Sequence, residues 1–311
     1  MPEPTTVCVV GGANVDIEGR PSLVLRPRDS NVGSVRRTLG GVGRNIAENL
    51  ARLDISTTLI TALGRDDAGR WIHQATSAAG VDLTDALWVE DLPTATYLSV
   101  LETAGELHVA INDMAVLDRL DDEAIAARRG ALSAASAVVV DANLTPAALA
   151  RLFECVEGTA VFADSVSVAK ARRLAPHLHQ LNLIKPNAAE ATLLTGVEVD
   201  SLDTARRAAE RLVTAGVANA IISLGRHGLI HMGADGADRV VAPLDTDVVS
   251  VTGAGDALMA GLVHAHLAGA SLDRALRFAS AAASIAARSP TTVSPEMSVA
   301  SVTSLLDRIT E

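Results

Sequence analysis

Short apolar runs alternate with helical segments through the second half of the chain, and this alternation constrains the fold more than any other feature. The predicted strands lie at residues 137–140, 160–162, 181–184, 220–224 and 228–232. Helical patterns lie near residues 121–134, 145–156, 167–174, 187–194, 203–215, 255–268 and 271–287. Apolar strands that alternate with helices predict an α/β domain in which a parallel sheet is covered by helices on both faces.

The first strand is predicted at Val7–Val10, a continuous apolar run that ends in two glycines. Asn14 and Asp16 follow at the exit of this strand, where open α/β sheets place their ligands. Asp16 alone is equally well explained as an ordinary turn carboxylate. The run therefore predicts a buried strand with candidate ligand-binding side chains at its end.

Two segments interrupt the β–α order. Residues 18–40 lack a helical period and predict a loop or short strands, whereas residues 94–100 and 107–111 predict a β-hairpin. A hairpin is out of place in a simple layered sheet. We therefore expect a single domain over residues 1–311, with a small β lid built from about 18–36 and 94–111.

Composition limits the classes of function. The chain has 311 residues, of which 49% are hydrophobic, so it has enough apolar side chains for one large core. A net charge of −11 and the absence of a long apolar run predict a protein that binds neither nucleic acid nor a membrane. Cys8 and Cys155 lack metal-ligand spacing and are expected to be buried thiols. Because Pro2-Glu3-Pro4 opens the chain, no signal peptide is predicted and a cytoplasmic location is expected.

The turn Thr252-Gly253-Ala254-Gly255-Asp256 joins an apolar, β-branched run to the predicted helix at 255–268. Glycine lets the backbone turn sharply and approach a ligand, and the first N–H groups of a helix lack intrahelical partners. Gly253, Ala254 and Gly255 therefore predict an anion site, most often one for phosphate. Asp256 is either a helix cap or a base that takes a proton from an attacking hydroxyl, and a base there indicates phosphoryl transfer.

A second glycine-rich turn, Gly40-Gly41-Val42-Gly43-Arg44-Asn45, precedes a helix whose apolar face carries Ile46, Leu50 and Leu53. Its spacing differs from G-x-G-x-x-G, and no strong strand precedes it directly, so a dinucleotide-binding turn is not predicted. We interpret the glycines as letting the backbone approach a polar ligand, toward which Asn45 points.

Three further polar segments follow predicted strands. Asn187 and Glu190 lie one helical turn apart, and they either form a capping box or hold the water of a phosphate-bound Mg²⁺. The turn at residues 223–228 either closes a hairpin or admits a nucleotide. Residues 164–170, which include Lys170, open another helix, and simple capping is the alternative to ligand binding there.

The two glycine turns resemble the two signatures of the ribokinase-like (PfkB) carbohydrate kinase family. The segment 185–190 is similar to the N-x-x-E region of that family, and Gly11, Asn14 and Asp16 are similar to its sugar-binding strand exit. The similarity covers essentially the whole chain in the right order. It implies a ribokinase-like three-layer α/β domain with a mostly parallel central sheet and a small β lid. It also implies a kinase that uses ATP and Mg²⁺ and forms a homodimer through its lids.

Residues 12–17, 29–31, 41–53 and 110–114 further resemble family members that act on a nucleoside. The resemblance implies that Asp256 is the base for the ribose 5′-hydroxyl, beside the anion hole of Gly253, Ala254 and Gly255. The other implied roles concern ligand binding: the substrate at Asn14, Asp16, Ser30, Asn31, Gly41, Asn45, Asn112 and Lys170, the nucleotide at Asn187, Ser223, Gly225 and Gly228, and Mg²⁺ through water at Glu190. Ser30, Asn31 and Asn112 are expected to read the base, and turn chemistry is the alternative for them.

One position departs from the family pattern. Many members carry an Asp where this chain has Ser250, and in those members the Asp helps to bind a monovalent cation. The departure argues against a potassium requirement. Two alternatives to a nucleoside kinase stay open, namely a ribokinase of the same family and a non-catalytic nucleoside- or sugar-binding protein. The presence of Asp256 and of all the turn glycines disfavours the non-catalytic alternative.

Overall fold

A computed structural model describes residues 5–244 and 246–310. Within them the chain forms fifteen strands, in order β1 (Thr6–Val10), β2 (Asn14–Pro21), β3 (Gly33–Gly40), β4 (Ser56–Ile60), β5 (Ala62–Gly64), β6 (Val81–Asp82), β7 (Leu87–Val89), β8 (Thr96–Leu101), β9 (Leu107–Asp113), β10 (Ala137–Asp141), β11 (Ala160–Asp164), β12 (Leu183–Ile184), β13 (Asn219–Ser223), β14 (Leu229–Gly233) and β15 (Asp238–Val241).

The described residues also form eleven α-helices: α1 (Val42–Arg52), α2 (Asp67–Ala78), α3 (Asp122–Ala126), α4 (Arg129–Ala134), α5 (Pro146–Cys155), α6 (Val168–Ala171), α7 (Ala188–Thr195), α8 (Leu202–Thr214), α9 (Ala254–Leu267), α10 (Leu272–Ala287) and α11 (Val299–Thr310). Short 3₁₀ helices lie at Ala115–Arg119, Arg172–Gln180 and Gly225–His227. Across this described part of the chain, no helix combines the length and the apolar character needed to cross a membrane.

Nine strands form the central sheet, in the order β15-β14-β13-β12-β11-β10-β1-β4-β6. Neighbouring strands are parallel, except that β14 runs antiparallel to both β13 and β15. The short turn after β13 explains this exception, because a parallel partner would need a long crossover connection. The mostly parallel sheet is confirmed, and β14 corrects the expectation that the C-terminal strands are parallel as well.

Alternate residues of the central strands pack on opposite faces of the sheet. Val7 and Val9 of β1 belong to an apolar cluster that includes residues of α1, α9, α10 and α11. Cys8 and Val10 belong to a second cluster, with residues of α3, α5 and α8. Both faces are therefore covered, which gives the three layers expected from the sequence. Cys8 and Cys155 are buried free thiols, as predicted.

A separate four-stranded sheet has the order β3-β2-β8-β9. The hairpin predicted near 94–111 is confirmed as β8 and β9. The prediction of a loop or short strands at 18–40 is wrong for residues 18–21 and 33–40, which belong to β2 and β3, strands of eight residues each. The two strands pair from Asn14–Gly40 to Pro21–Gly33. Most of β3 is exposed, so its sequence lacks the apolar alternation that marks a half-buried strand. The role of this sheet as a lid stays a prediction.

Other boundaries also differ from the sequence patterns. The single helix predicted at 121–134 is divided into two short helices, α3 and α4. The helix predicted at 167–174 is α-helical only in α6, and a 3₁₀ helix that contains Pro176 follows it. The C-terminal helix α11 was not predicted. The β-branched run before the central turn forms no strand, and Val251 within it is 77% exposed.

Candidate active site

Four adjacent parallel strands carry the buried polar groups of the site at their carboxyl ends. Gly11 follows β1, Asp141 ends β10, Asp164 ends β11 and Lys185 follows β12. The helix N-termini of α1 and α9 reach the same edge, where a hydrogen bond joins the side chains of Asn45 and Asp256. Open α/β sheets bind their ligands at this edge, so the fold places the predicted site residues where a ligand is expected.

The turn before α9 depends on Gly253, which caps the helix with φ 84°. A Cβ at this position would lie 1.9 Å from the carbonyl oxygen of Thr292, so no other residue fits. Asp256 lies in the first turn of α9 and is 8% exposed. Its Oδ2 accepts a hydrogen bond of 2.9 Å from Asn45 Nδ2. The turn therefore presents helix N–H groups and a buried carboxylate together, as the sequence predicts.

Burial raises the pKa of the Asp256 carboxyl to about 7, and the charge of Asp164 pushes it in the same direction. The hydrogen bond from Asn45 and the charge of Lys185 oppose this rise, but they do not cancel it. A carboxylate with a pKa near the working pH is well matched to taking a proton from a hydroxyl. The electrostatics of the site thus suit a base, and the role of Asp256 as that base stays a prediction.

Lys185 is a buried cation to which the sequence patterns assign no role. Its Nζ forms an ion pair of 3.0 Å with Asp164, and a Cβ on Gly255 would lie 3.2 Å from that Nζ. Burial lowers the pKa of Lys185, but the charges of Asp164, Asp256 and Glu190 outweigh it and raise the pKa above its usual range. Lys185 therefore stays charged beside the α9 turn, where its charge adds to the positive end of the helix dipole at the predicted anion site. The signal in the sequence is the scarcity of lysine, since Lys170 is the other one.

Asp141 is a second residue that sequence patterns miss. Its buried carboxylate accepts hydrogen bonds from the backbone N–H of Gly12 at 2.8 Å, of Gly43 at 3.0 Å and of Asn143 at 2.9 Å, and from Asn143 Nδ2 at 2.9 Å. A Cβ on Gly11 would lie 2.4 Å from Asp141 Oδ2. Gly11 thus makes room for a carboxylate of the protein itself, whereas a Cβ on Gly43 would lie 2.8 Å from the backbone of Gly11. The interpretation of the Gly40–Gly43 turn as an approach to a polar ligand stays a prediction.

The predicted sugar-binding residues lie together beside this carboxylate. Asn14 Nδ2 donates to Asp16 Oδ1 at 2.6 Å, and β2 pairs Asn14 with Gly40, directly before Gly41. Gly41 has φ 97°, and a Cβ there would lie 2.4 Å from the carbonyl oxygen of Gly12. Burial raises the pKa of Asp16, and hydrogen bonding and a nearby guanidinium hold it down only in part. The structure thus brings these residues and Asn45 to one place, and their contact with a sugar stays a prediction.

Asn187 and Glu190 form the capping box that was the alternative to a ligand role. Asn187 Oδ1 accepts from Glu190 N at 3.0 Å, and the Glu190 carboxylate accepts from Asn187 N at 3.0 Å and from Asn187 Nδ2 at 2.8 Å. Ser165 Oγ also donates to Glu190 at 2.7 Å.

This capping box decides how Glu190 can serve a metal ion. A carboxylate has roughly four acceptor positions, of which the capping box uses two and Ser165 a third, so Glu190 can accept one further bond from a water. No group of three or more metal-binding side chains occurs within the described ranges. The one open acceptor position of Glu190 therefore fits Mg²⁺ held through one of its waters, the form this ion favours.

The turn at 223–228 closes the antiparallel hairpin of β13 and β14, which was the simpler alternative for it. Gly228 has φ 84°, and a Cβ there would lie 2.0 Å from the carbonyl oxygen of Val241. Gly225 has φ 56° and faces open space, and Ser223 forms a parallel bridge with Asn187. The predicted nucleotide residues are thus neighbours, and their contact with a nucleotide is untested.

A cleft of about 200 Å³ lies between the second sheet and the carboxyl end of β10. Asn112, Asn143, Lys170 and Arg173 are among its lining residues, and Lys170 Nζ donates to Asn143 Oδ1. Ser30 and Asn31 lie outside this lining, in the exposed connection between β2 and β3. Asn31 bonds the backbone of Arg26 there, which is the turn chemistry that was its alternative. Within one chain, the structure therefore groups Asn112 with Lys170 and separates them from Ser30 and Asn31.

Comparisons with known proteins agree with this geometry. Residues 4–298 match the model of the pfkB family of carbohydrate kinases. The chain is 35% identical over 307 residues to the pseudouridine kinase of Escherichia coli K12, which covers 99% of this chain and 98% of that protein. It is 27% identical over 284 residues to the ribokinase of Haemophilus influenzae, covering 90% and 91%. The ribokinase of Arabidopsis thaliana has the same fold, with a TM-score of 0.85 at 24% identity over 97% of this chain and 98% of that one. The predicted ribokinase-like fold is confirmed.

Proposed function

Because the chain belongs to the pfkB family of carbohydrate kinases and is a sugar or nucleoside kinase, we propose that its acceptor is pseudouridine. ATP donates the phosphoryl group, the ribose 5′-hydroxyl receives it, and the products are pseudouridine 5′-phosphate and ADP. The observation that carries the chemistry is the buried carboxylate of Asp256 at the N-terminus of α9, beside Lys185. The relative of 35% identity supports the choice of substrate.

The proton and the phosphoryl group move in opposite directions in this proposal. The ribose 5′-hydroxyl gives its proton to Asp256 and forms a bond to the γ-phosphorus, while the bond from that phosphorus to the leaving oxygen of ADP breaks. The backbone at Gly253, Ala254 and Gly255, with Lys185, stabilises the charge on the transferred group. Positioning and charge stabilisation of this kind carry most of the catalysis in phosphoryl transfer.

Ligand-binding residues surround this centre. Asn14, Asp16, Gly41 and Asn45 hold the ribose hydroxyls. Ser223, Gly225 and Gly228, with Asn187, receive the nucleotide. Glu190 would hold Mg²⁺ through a water, and the ion would supply positive charge at the phosphates of ATP.

The base of pseudouridine is joined to ribose through carbon, so its ring carries an N–H group where uridine has its glycosidic bond. A selective site must offer this donor an acceptor, because an unpaired buried polar group costs far more than a poor apolar fit. The carboxamide oxygen of Asn112 is the candidate acceptor, in the cleft that also contains Lys170. Ser30 and Asn31 belong to the same lid in the proposal and reach a base only if the lid of a second copy closes the site.

The second sheet supports the proposal of a homodimer. Val35, Leu98, Val109 and Ile111 of this sheet are all exposed. Sheets that expose apolar side chains and free edges invite pairing with a second copy. Light scattering at micromolar concentration is expected to give twice the mass of the chain, and a monomer under assay conditions would contradict the dimer.

A substrate panel tests the function. Purified protein with ATP and Mg²⁺ is given pseudouridine, uridine, adenosine or ribose, and ADP release is coupled to NADH oxidation while mass spectrometry identifies the monophosphate. We expect the highest kcat/KM with pseudouridine, and in Asp256→Asn a kcat that is lower by about 100-fold or more. A higher kcat/KM with ribose makes the protein a ribokinase, and the absence of phosphorylated product with all four acceptors rejects the proposal.

Equal rates in potassium and tetramethylammonium salts are expected because Ser250 replaces the Asp of other members.

A further inference from the structure

We propose that Arg44 is a positioning residue that locks the Asn45 carboxamide with its NH₂ group toward Asp256. The base then faces a hydrogen-bond donor, and the opposite orientation of the amide is disfavoured. This inference rests on the proposed role of Asp256, and it adds a residue that acts on the base only through its neighbour.

The geometry of the Asn45 side chain supports this orientation. Arg44 Nη1 donates to Asn45 Oδ1 at 3.0 Å, and Asn45 Nδ2 donates to Asp256 Oδ2 at 2.9 Å. A guanidinium carries donors and no acceptor, so the Asn45 atom that faces Arg44 must be the oxygen. The NH₂ group is therefore directed to Asp256. A flipped amide would set an N–H group against the Arg44 guanidinium and its oxygen against the carboxylate of Asp256.

The guanidinium of Arg44 is itself fixed. The residue is 5% exposed and forms an ion pair with Glu48, one helical turn further along α1. Arg44 Nε also donates to Thr76 Oγ1 at 3.4 Å. Arg52 holds the other oxygen of Glu48 at 2.9 Å through both Nε and Nη2. This chain of charges, in which Arg44 and Glu48 are buried and Arg52 is partly exposed, leaves Arg44 little freedom, so its donor to Asn45 is preorganised.

The lock has a consequence for the proton on Asp256. A hydrogen bond that is donated to a carboxylate favours its charged form, whereas an acceptor at the same place favours the protonated form. If Arg44 is removed, the Asn45 amide is free to turn its oxygen toward a protonated Asp256. Asp164, Asp141 and Lys185 face Asp256 from the other elements of the site, and Glu48, Arg52 and Asp16 face Arg44. These groups act through their charge, whereas the lock acts through the orientation of one amide.

The matched pair Arg44→Met and Arg52→Met tests the lock. Arg44→Met leaves Glu48 paired with Arg52, and Arg52→Met removes the other guanidinium on Glu48 without touching Asn45. The pKa of Asp256 is measured by ¹³C NMR of protein labelled at the Asp carboxyl carbon, and Asp256→Asn identifies the resonance. We expect Arg44→Met to raise this pKa by about half a unit to one unit, and Arg52→Met and Arg44→Lys to leave it within about 0.3 unit of the wild-type value. An unchanged pKa in Arg44→Met overturns the proposal.

A double-mutant cycle separates the amide from the charge of Arg44. In the Asn45→Ala background, Arg44→Met should shift the pKa of Asp256 no further, because no amide remains to be oriented. The same shift in both backgrounds overturns the lock and assigns the effect to direct charge. The titration needs no turnover, so a failed substrate panel with a confirmed shift rejects the proposed function alone. In an active enzyme, the acidic limb of the pH profile of kcat/KM should move upward with the pKa.

Discussion

Replacing Asp256 by Asn is expected to make the protein more stable at alkaline pH while it removes activity. Folding raises the pKa of this carboxyl to about 7 from its ordinary value of 3.8. A group whose pKa is higher in the folded state favours folding below its unfolded pKa, and that contribution is lost as the pH rises through the folded value. Above pH 7, ionised Asp256 therefore opposes folding, and an uncharged amide does not.

The size of the effect follows from the two pKa values. The difference between 7 and 3.8 is about 3 units, which corresponds to about 4 kcal/mol of unfavourable free energy when the group is fully ionised. At pH 5 Asp256 keeps its proton in the folded protein, and the unfavourable contribution of this residue to the free energy of unfolding is about 1.5 kcal/mol. The free energy of unfolding of Asp256→Asn, relative to wild type, should therefore rise by about 2–3 kcal/mol between pH 5 and pH 8. In Asp256→Asn, Asn45 donates to an amide oxygen, and this hydrogen bond is weaker than the one to a carboxylate. It lowers the free energy of unfolding of the variant at both pH values, so the difference between pH 5 and pH 8 stays nearly unchanged.

Urea unfolding at pH 5 and pH 8, at one fixed protein concentration, measures this difference. Asp203→Asn is the matched control, because the Asp203 side chain is 93% exposed and its stability effect should be the same at both pH values. In the same preparations kcat of Asp256→Asn should fall by about 100-fold or more, the contribution of a positioned base. A relative stability that stays flat or declines from pH 5 to pH 8 would refute the reasoning from burial.

Three further results are expected. For the wild-type enzyme, kcat/KM should rise about tenfold from pH 6 to pH 8 as Asp256 loses its proton, and a flat profile would argue against this base. Asp141→Ala should raise KM for the nucleoside about tenfold and leave KM for ATP nearly unchanged, because Asp141 holds the Gly12 and Gly43 turns; equal increases would contradict that assignment. Asn112→Ala should narrow the preference for pseudouridine over uridine by about 1–3 kcal/mol, and unchanged selectivity would remove Asn112 from base recognition.

The parts of the fold that follow from the sequence are those with a local pattern. The central sheet shows as runs such as Val7–Val10, because strands buried on both faces are continuously apolar. The turn at Gly253–Asp256 could be predicted because a backbone with positive φ just before a helix requires glycine, and the sequence shows that glycine directly. Polar strands have no such mark, so β2 and β3 are longer than the sequence suggests, with most of β3 exposed. The capping box of Asn187 and Glu190 was one of two local alternatives, and the structure contains it, while the ligand role of the two residues stays a proposal.

The residues that sequence patterns miss act across long separations. Asp141 reaches Gly12 over 129 positions and Gly43 over 98. Lys185 finds Asp164 only because β11 and β12 are neighbours in the sheet. Arg44 is next to Asn45 in the sequence, but its hydrogen bond orients the Asn45 amide toward a partner only because the fold places Asp256 on the other side of that amide. No period or motif in the sequence predicts these long-range contacts, because they depend on the order of the strands in the sheet.

The buried carboxylates of the site differ in the partners that satisfy them. Asp141 accepts four hydrogen bonds from the turns, Glu190 belongs to a capping box, and Asp164 is paired with Lys185. In the part of the chain that the structure describes, the Asp256 carboxylate accepts a side-chain hydrogen bond from Asn45 alone. Burial and the charge of Asp164 raise the pKa of Asp256 to about 7, and the hydrogen bond from Asn45 and the charge of Lys185 do not offset them. The same burial that costs stability matches the pKa of this carboxyl to the role proposed for it, accepting a proton from a substrate hydroxyl.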